Sequence, residues 1–436
     1  MERQVFIGPL IHTNENEKLI IKKYVAVFIE DGEITKVEED PPTNQERIND
    51  FVADFCANNK VNVLSLGQFM TPGFIDGHTH ANQFPNLGLS YKRHVLDWVK
   101  IYTYPLEKRY KNTKFAERVF EAVVKRTIEM GTTTACYFAS LYNEASEILA
   151  KKTAKLGQRA FIGKVNMNTS HDHGYYESTK ESIENTRTFI KSIDHMKPLV
   201  KPIITPRFAL SCDMDLMRQL ANIAKENDLH IQTHVSENKD EVIEVKRVYP
   251  DQPTYAAVYD SAGLLTSKTI LAHGIYLENS ELTLLKERGT AVIHCPSSNL
   301  KHGLCDVQRL KTSGIKVGLG TDVSGGASYS MLNEMRSALQ VSKSLSLTRD
   351  NYTPLNYKEV FHMATLGGAK ALSIDDKVGN LESGKQFDAL IIDMDAKDSL
   401  LDNFKEYTLE ENFQRFIYAG DERNIVSVYV NGRKVK

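Results

Sequence analysis

Residues 74–80 read FIDGHTH, a nearly continuous apolar run that contains two histidines near its end. Seven more runs of this kind follow along the chain: TTTACYFA (132–139), RAFIGKV (159–165), PIITPRFAL (202–210), HIQTHVS (230–236), TILAHGI (269–275), AVIHCPS (291–297) and IKVGLGTDV (315–323). Apolar character without alternation is typical of strands that are buried on both faces of a parallel sheet. The sequence therefore predicts parallel strands at all of these runs.

Segments with the period of a helix lie between the runs. Residues 114–130 repeat apolar side chains every three to four positions and are followed by Gly131, a residue type that often ends helices. Residues 213–227 show a similar apolar stripe, and Asp213 suits the N-cap position. Alternating strands and helices predict an α/β fold, with a (β/α)8 TIM-type barrel over residues 70–375.

The two ends of the chain have a different pattern. Residues 1–69 contain the alternating stretch YVAVFIEDGEITKVEE, and residues 376–436 contain FDALIID and IVSVYVNGRKV. The DG and NG dipeptides between β-branched residues predict hairpins. We therefore expect the segments 1–69 and 376–436 to form one small β-sandwich-like domain beside the catalytic barrel.

The composition argues against a nucleic-acid-binding protein and a membrane-spanning protein. The 436 residues include 54 Lys plus Arg and 56 Asp plus Glu, a formal net charge of −2, so a basic nucleic-acid-binding surface is not expected. No run reaches the about 20 apolar residues of a membrane span. Five scattered cysteines without a CxxC pair fit a reducing compartment. We expect a cytoplasmic, cytosolic protein without nucleic-acid or membrane partners.

Polar residues that could carry chemistry stand at the ends of the predicted strands. In a (β/α)8 barrel the carboxyl ends of all strands converge on the active site. His78 and His80 end the first strand on one face, His234 ends the fifth strand, and Asp322 ends the eighth. Imidazole nitrogens with one carboxylate oxygen are a typical ligand set for zinc or iron. The sequence therefore predicts a metal site at these residues.

The other histidines are weaker candidates. His273 and His294 end the sixth and seventh strands, where a histidine can equally be a core residue. His294 precedes Cys295, but neighbouring residues on a strand point to opposite faces, so a Cys–His nucleophile is not expected and His294 should line the pocket or pack. His171 and His173 repeat the HxH spacing in a polar stretch, which we interpret as a solvated loop.

Several segments together carry a family resemblance. They are PGFIDGHTH (72–80), HVSE (234–237), LAHG (271–274) and GLGTDV (318–323), which resemble the amidohydrolase superfamily, and HANQ (80–83), TPRF (205–208) and HVSEN (234–238), which resemble the eukaryotic guanine deaminases. The likeness extends from about residue 60 to the end of the chain. It implies hydrolytic deamination of guanine to xanthine and ammonia, in purine catabolism or salvage, by a cytosolic homodimer.

The resemblance also implies the metal content and the catalytic residues. His78, His80, His234 and Asp322 would hold one Zn²⁺ per subunit, with Fe²⁺ as the alternative. Superfamily members with two metals usually have a carbamylated lysine near the end of strand four, where this chain has Arg207 instead.

Proton transfer and water binding are assigned in the same way. By resemblance, Glu237 is the proton shuttle and also contacts the substrate, Asp322 takes the first proton from the attacking water, and His273 hydrogen-bonds that water. Two structural alternatives stay open. Glu237 could be an acid at the start of helix 237–247, and His273 could be a core residue.

Substrate recognition requires groups that read the edge of a purine. Arg207 offers a planar pair of donors for the guanine carbonyl and the adjacent ring nitrogen, Gln83 offers both a donor and an acceptor, and Phe208 could pack on the base. Arg207 could instead be a structural ion-pair partner.

Other functions remain open at this stage. One is a related deaminase with a single metal that acts on cytosine, an adenosine-type substrate or a triazine. Another is a catalytically silent barrel with a scaffold role, which would be expected to lose metal ligands. The aromatic residues Trp98, Tyr102 and Tyr104 could form a lid over the pocket or a dimer surface.

Overall fold

The structure, a computed structural model, describes residues 2–56, 60–89, 95–169 and 174–436. The strands, in chain order, are β1 (Arg3–Thr13), β2 (Leu19–Glu30), β3 (Glu33–Glu39), β4 (Val61–Val63), β5 (Gln68–Pro72), β6 (Phe74–His80), β7 (Thr132–Phe138), β8 (Arg159–Gly163), β9 (Val165–Asn166), β10 (Val200–Pro206), β11 (His230–Val235), β12 (Thr269–His273), β13 (Ala291–His294), β14 (Val317–Leu319), β15 (Ala389–Asp393), β16 (Ile425–Val430) and β17 (Arg433–Lys434). The α-helices are α1 (Gln45–Val52), α2 (Val95–Trp98), α3 (Tyr104–Lys108), α4 (Thr113–Glu129), α5 (Asn143–Leu156), α6 (Thr179–Ile193), α7 (Met214–Glu226), α8 (Lys239–Val248), α9 (Tyr255–Ser261), α10 (Asn279–Arg288), α11 (Pro296–Asn299), α12 (Val307–Thr312), α13 (Met331–Ser346), α14 (Tyr357–Ala364), α15 (Leu366–Ala371) and α16 (Leu409–Ala419).

A nearly closed parallel barrel forms the centre of the fold. Its strands lie in the order β6–β7–β8–β10–β11–β12–β13–β14, with the short β9 beside β10. Backbone hydrogen bonds from Asp322 N to His78 O (2.8 Å) and from His80 N to Val323 O (3.1 Å) join the first strand to the segment after the last one. Every residue of β6, β7 and β11 is buried, which explains the unbroken apolar runs. The predicted (β/α)8 TIM-type barrel is confirmed.

The eighth strand is shorter than its apolar run. Strand β14 ends at Leu319, although the run continues to residue 323. The backbone N–H and the hydroxyl of Thr321 both donate to the Asp76 carboxylate, at 3.0 and 2.5 Å, and Asp322 has a φ of +45°. These contacts turn the chain out of the strand and hold Asp322 across the end of β6.

The two helices predicted in detail are confirmed, and so is the predicted N-cap Asp213; the N-cap of the first helix, Asn112, was not predicted. Helix α4 spans Thr113–Glu129, and its N-cap Asn112 accepts a hydrogen bond from the N–H of Phe115. Helix α7 starts after Asp213, whose side chain accepts from the N–H of Leu216 at 2.8 Å. Among the helices of the described residues, none combines the length and the apolar character that crossing a membrane requires.

Strands from both ends of the chain form a second sheet. Its order is β17–β16–β15–β5–β1–β2–β3, and β4 pairs with β1. The hairpins β2–β3 and β16–β17 turn at residues 31–32 and 431–432, which all have positive φ, as the DG and NG dipeptides predict. The division of the chain into segments 1–69 and 376–436 and a barrel unit 70–375 stays a prediction.

The second sheet packs on the barrel through one apolar cluster and a buried ion pair. Phe69 and Leu390 from the sheet belong to the same cluster of buried side chains as Phe74 from the barrel. Asp388 binds Arg159 at the start of β8 through two hydrogen bonds of 3.0 Å, and both side chains are buried. These contacts lie at the amino ends of the barrel strands, opposite the predicted site.

Candidate active site

The residues of the predicted metal site meet at the mouth of the barrel. They are His78 and His80 on β6, His234 on β11 and Asp322 after β14. Asp322 Oδ1 lies 3.2 Å from His78 Nε2 and 3.3 Å from His80 Nε2. The Nε2 atoms of His80 and His234 are 3.1 Å apart. The structure thus brings together all the residues that the sequence nominated as metal ligands.

His273, at the end of β12, reaches the same point. Potential ligand atoms of four residues lie within 4.8 Å of one another: those of His78, His234, His273 and Asp322. His80 stands outside this tightest group but contacts both His234 and Asp322. Since all of these side chains are buried, they face one small volume that is shielded from bulk water.

The donor atoms of this cluster fit a divalent metal. Burial lowers the pKa of His78, His80 and His234, which favours the neutral imidazoles that metals bind. The Nδ1–H of His234 donates to the carbonyl oxygen of Arg207 at 2.6 Å, which leaves the Nε2 lone pair facing the cluster. Nε2 of His78 is buried and makes no hydrogen bond to any of the described residues. A metal would satisfy these lone pairs.

Asp322 supplies the negative charge of the cluster. Burial by itself raises the pKa of its carboxyl, but the facing imidazoles, His78 first, hold that pKa well below its usual value. Gly325 approaches so closely that a Cβ there would lie 2.3 Å from Asp322 Oδ2. Any residue with a Cβ at position 325 would therefore clash with the carboxylate of Asp322.

Glu237 lies beside the cluster, after the turn that ends β11. Its Oε2 is 3.7 Å from His273 Nε2, and its Oε1 is 3.5 Å from His302 Nε2. Burial first and the charge of Asp322 second raise the pKa of Glu237, against the opposing charge of Lys301, to about 8. The carboxyl is therefore protonated over much of the neutral pH range and can give up a proton.

The helix after Glu237 does not use this residue as its cap. Helix α8 begins at Lys239, and Asn238 and Glu241 form its capping box. The side chain of Glu237 instead points to the two histidines, so the helix-start interpretation is wrong.

A chain of hydrogen bonds orients His273. Its Nδ1 lies 2.8 Å from Oδ1 of Asn299, and Nδ2 of Asn299 lies 3.1 Å from Nδ1 of His294. Because the amide oxygen can only accept, Nδ1 of His273 carries the proton, and its Nε2 presents a lone pair to Glu237 and the cluster. His273 therefore has a defined direction and tautomer.

His294 and Cys295 behave as their alternation on the strand predicts. His294 is fully buried and packs behind Asn299. The Cys295 thiol lies 3.7 Å from the carbonyl oxygen of Ile293, and burial raises its pKa well above the usual value. These two residues do not form a nucleophile pair. His171 and His173 lie outside the described residues.

The candidate substrate-binding residues lie next to the cluster and meet at an acid that the sequence did not single out. Arg207, directly after β10, donates to Glu107 through Nη1 (2.6 Å) and Nη2 (3.1 Å). Gln83 donates through Nε2 to Glu107 Oε1 at 3.2 Å. Burial lowers the pKa of Arg207, but the Glu107 carboxylate outweighs it, so the guanidinium pKa lies above its usual value. Arg207 thus has the ion-pair partner that the structural alternative requires.

Of the candidate aromatic residues, Tyr104 contacts this pair. Phe208 follows Arg207 and is half-buried. Tyr104 is buried, with its ring centroid 5.1 Å from the Arg207 guanidinium, so it belongs to the wall of the site. Trp98 donates through Nε1 to the carbonyl oxygen of Leu89 at 3.3 Å and lies 5.9 Å from Lys301 Nζ.

Sequence reasoning missed two buried residues of the site, Glu107 and Asn299. Asn299 lies on the short helix α11, which follows β13, so its position after a barrel strand was a signal that could have identified it. Glu107 lies on α3, far from any strand end, and no spacing in the sequence pointed to it.

Comparison with known proteins agrees with this geometry. The model of the amidohydrolase family matches residues 69–435. The chain belongs to this family. It is 44% identical to guanine deaminase of Pongo abelii and 43% identical to that of Homo sapiens, and each match covers 99% of this chain and 96% of the relative. The resemblance to guanine deaminases is therefore confirmed.

Solved structures of guanine deaminases are also similar to this chain. A crystal structure of guanine deaminase from C. acetobutylicum with bound guanine in the active site superposes with a TM-score of 0.91, 32% identity and full coverage of both chains. E. coli guanine deaminase gives a TM-score of 0.89 at 27% identity, with 99% of each chain covered. The whole chain, both barrel and terminal sheet, thus shares the fold of these enzymes.

Proposed function

We propose that this chain is a guanine deaminase, a hydrolase that converts guanine and water to xanthine and ammonia in purine catabolism or salvage. The observation that carries the proposal is the convergence of His78, His80, His234 and Asp322 at the barrel mouth. The full-length identity of 43% to human guanine deaminase supports the choice of substrate.

The metal site takes one ion per subunit, with Zn²⁺ as the proposed metal and Fe²⁺ as the alternative. His78, His80, His234 and Asp322 are the proposed ligands. A divalent metal bound there is a Lewis acid that lowers the pKa of a water ligand from about 15.7 toward about 7. Arg207 occupies the place near the end of the fourth barrel strand where two-metal members of the superfamily carry a lysine, which supports a single metal.

Three side chains handle the water and its protons. Asp322 is ionised and accepts the first proton from the water, while His273 accepts a hydrogen bond from it through Nε2. Glu237 delivers a proton to the ring nitrogen beside the carbon under attack. It then takes a proton from the hydroxyl group that the water has left on that carbon and passes it to the amino group, which departs as ammonia. The proton on Asp322 returns to Glu237 before the next cycle. The raised pKa of Glu237 and its position against His273 support this role.

Arg207, Gln83 and Phe208 bind the purine, and Glu237 contacts it at the reacting edge. Arg207 keeps N–H groups that Glu107 does not use, which suit the two neighbouring acceptors of guanine, the carbonyl oxygen and the ring nitrogen N7. A site that hydrogen-bonds its substrate rejects analogues without the matching groups, so adenine should be a poor substrate.

The cellular setting is part of the same proposal. The family resemblance supports a cytosolic homodimer. The formal net charge of −2 supports a small-molecule substrate rather than a nucleic-acid or membrane partner.

An ultraviolet assay tests the reaction directly. Purified protein is mixed with guanine, adenine, cytosine or guanosine, and the absorbance change of each base is followed. We expect turnover of guanine alone. Turnover of cytosine or an adenosine-type substrate without guanine would favour the related deaminases, and no turnover with well below one metal per chain would favour a scaffold protein.

Substitution of Arg207 tests the recognition assignment. R207A should raise KM for guanine and lower kcat/KM at least about tenfold, the effect of losing about 1.4 kcal/mol of binding. R218A, on the exposed surface of α7, is the matched control and should behave as the wild type. Guanine kinetics unchanged by R207A would remove Arg207 from the substrate site.

A further inference from the structure

Glu107 is a completely buried acid that holds both of the residues proposed to read the purine edge. One of its oxygens accepts from Arg207 Nη1 at 2.6 Å. The other accepts from Arg207 Nη2 at 3.1 Å and from Gln83 Nε2 at 3.2 Å. The acid, the guanidinium and the amide thus form one connected unit on the side wall of the site.

The contact with Glu107 fixes the direction of Gln83. An ionised carboxylate only accepts hydrogen bonds, so the NH₂ end of the amide must face Glu107 and the Oε1 end must face away. Gln83 then offers an acceptor to a ligand. Arg207 has five N–H donors, of which Glu107 takes two, so the guanidinium offers only donors. One acceptor beside several donors complements the guanine edge, where a ring N–H stands beside a carbonyl oxygen.

Glu107 also balances the charge of the site wall. Without it, Arg207 would be a buried cation with the aromatic ring of Tyr104 at 5.1 Å. Such a cation would attract an anionic ligand more strongly than a neutral one. The product xanthine is a stronger acid than guanine because carbonyl groups flank its ring N–H groups. An unpaired Arg207 would therefore favour retention of product.

We propose that Glu107 is a positioning residue of the guanine site, which orients Gln83 and neutralises Arg207 so that the neutral substrate is preferred over the anion of the product. This inference rests on the proposed function. Glu107 itself does not contact the reacting atoms. It acts through Arg207 and Gln83, the two residues that it binds.

Glu107→Gln tests the charge and the direction together. The variant should show a KM for guanine raised at least about tenfold with a smaller change in kcat, because recognition is lost while the catalytic cluster is intact. Its inhibition by xanthine should become stronger than that of the wild type, above all at a pH where xanthine is ionised. Asp388→Asn is the matched control, since Asp388 makes an equally buried bidentate contact with Arg159 at the other end of the barrel.

Glu107→Asp separates the two effects and serves if the glutamine variant does not fold. It keeps the charge but shortens the reach to Gln83, so KM for guanine should rise while xanthine inhibition stays at the wild-type level. An unchanged KM in either variant overturns the inference. So does an equal loss of guanine and xanthine binding in Glu107→Gln, which would mean a general collapse of the pocket. If the wild type itself fails to deaminate guanine, the proposed function fails rather than this inference.

Discussion

Replacing Glu334 with glutamine should remove a pH dependence from the stability of the fold. Glu334 lies on α13 and is completely buried. Its carboxyl accepts from the backbone N–H of Ser297 (3.0 Å), from the Ser297 hydroxyl (2.8 Å) and from Asn333 (3.3 Å). Burial outweighs these bonds and raises the pKa of Glu334 to about 8. The folded protein therefore keeps this acid protonated at neutral pH.

The size of the effect follows from proton linkage. The usual pKa is 4.5, so between about pH 4.5 and about pH 8 the folded state holds a proton that the unfolded state has released. The free energy of unfolding should fall as pH rises through this window, by at most about 1.4 kcal/mol per pH unit and at most about 5 kcal/mol in total. Above the pKa of Glu334 in the folded state, the free energy of unfolding no longer falls because of this group.

Urea unfolding of the wild type and of E334Q at several pH values checks this linkage. The stability of the wild type relative to E334Q should decrease steadily from about pH 5 to about pH 8. A buried acid that does not interact with Glu334, such as Glu241, titrates in both proteins and cancels in the difference. E406Q, at an exposed glutamate, controls for the substitution itself. A difference between wild type and E334Q that does not vary with pH would refute the reasoning.

Three further outcomes are expected. N299L should lower kcat about 10- to 100-fold with the metal content unchanged, because His273 loses the acceptor that fixes its tautomer. N299D keeps an acceptor and should retain more activity than N299L. A wild-type kcat in N299L would contradict this reasoning. R159M should lower the free energy of unfolding, measured with urea, by about 3–5 kcal/mol, because Asp388 is left buried without its ion-pair partner. A decrease below about 1 kcal/mol would contradict this. Removal of the metal with a chelator should lower the Tm and abolish activity, with zinc restoring both; an unchanged Tm would argue against a site made of these ligands.

The barrel could be predicted from the sequence because burial on both faces leaves an unbroken apolar run. FIDGHTH coincides with β6 to the residue. The convergence of His78, His234 and Asp322 followed from the same topology, since parallel strands in a barrel bring their carboxyl ends to one mouth. In such a fold, the residue at the carboxyl end of each predicted strand is therefore a candidate for the site.

The remaining parts of the site depend on contacts that no local pattern encodes. Glu107 is 100 residues from Arg207 in the chain, and it lies on a five-residue helix in the long segment between β6 and β7. The run IKVGLGTDV predicts a strand that ends at Asp322, yet β14 ends at Leu319 because Thr321 binds Asp76. Both features are set by partners from distant segments, so only the folded chain reveals them.

The two acids nearest the histidine cluster show how one pocket can give carboxyl groups opposite roles. Burial raises the pKa of both Asp322 and Glu237. Asp322 faces His78 and the other imidazoles, which lower its pKa, whereas Glu237 faces the negative charge of Asp322, which raises its own. Ionisation of the first therefore favours protonation of the second. This division supports Asp322 as the metal ligand that takes the first proton and Glu237 as the proton carrier, since the first must begin the reaction ionised and a general acid must begin it with a proton to deliver.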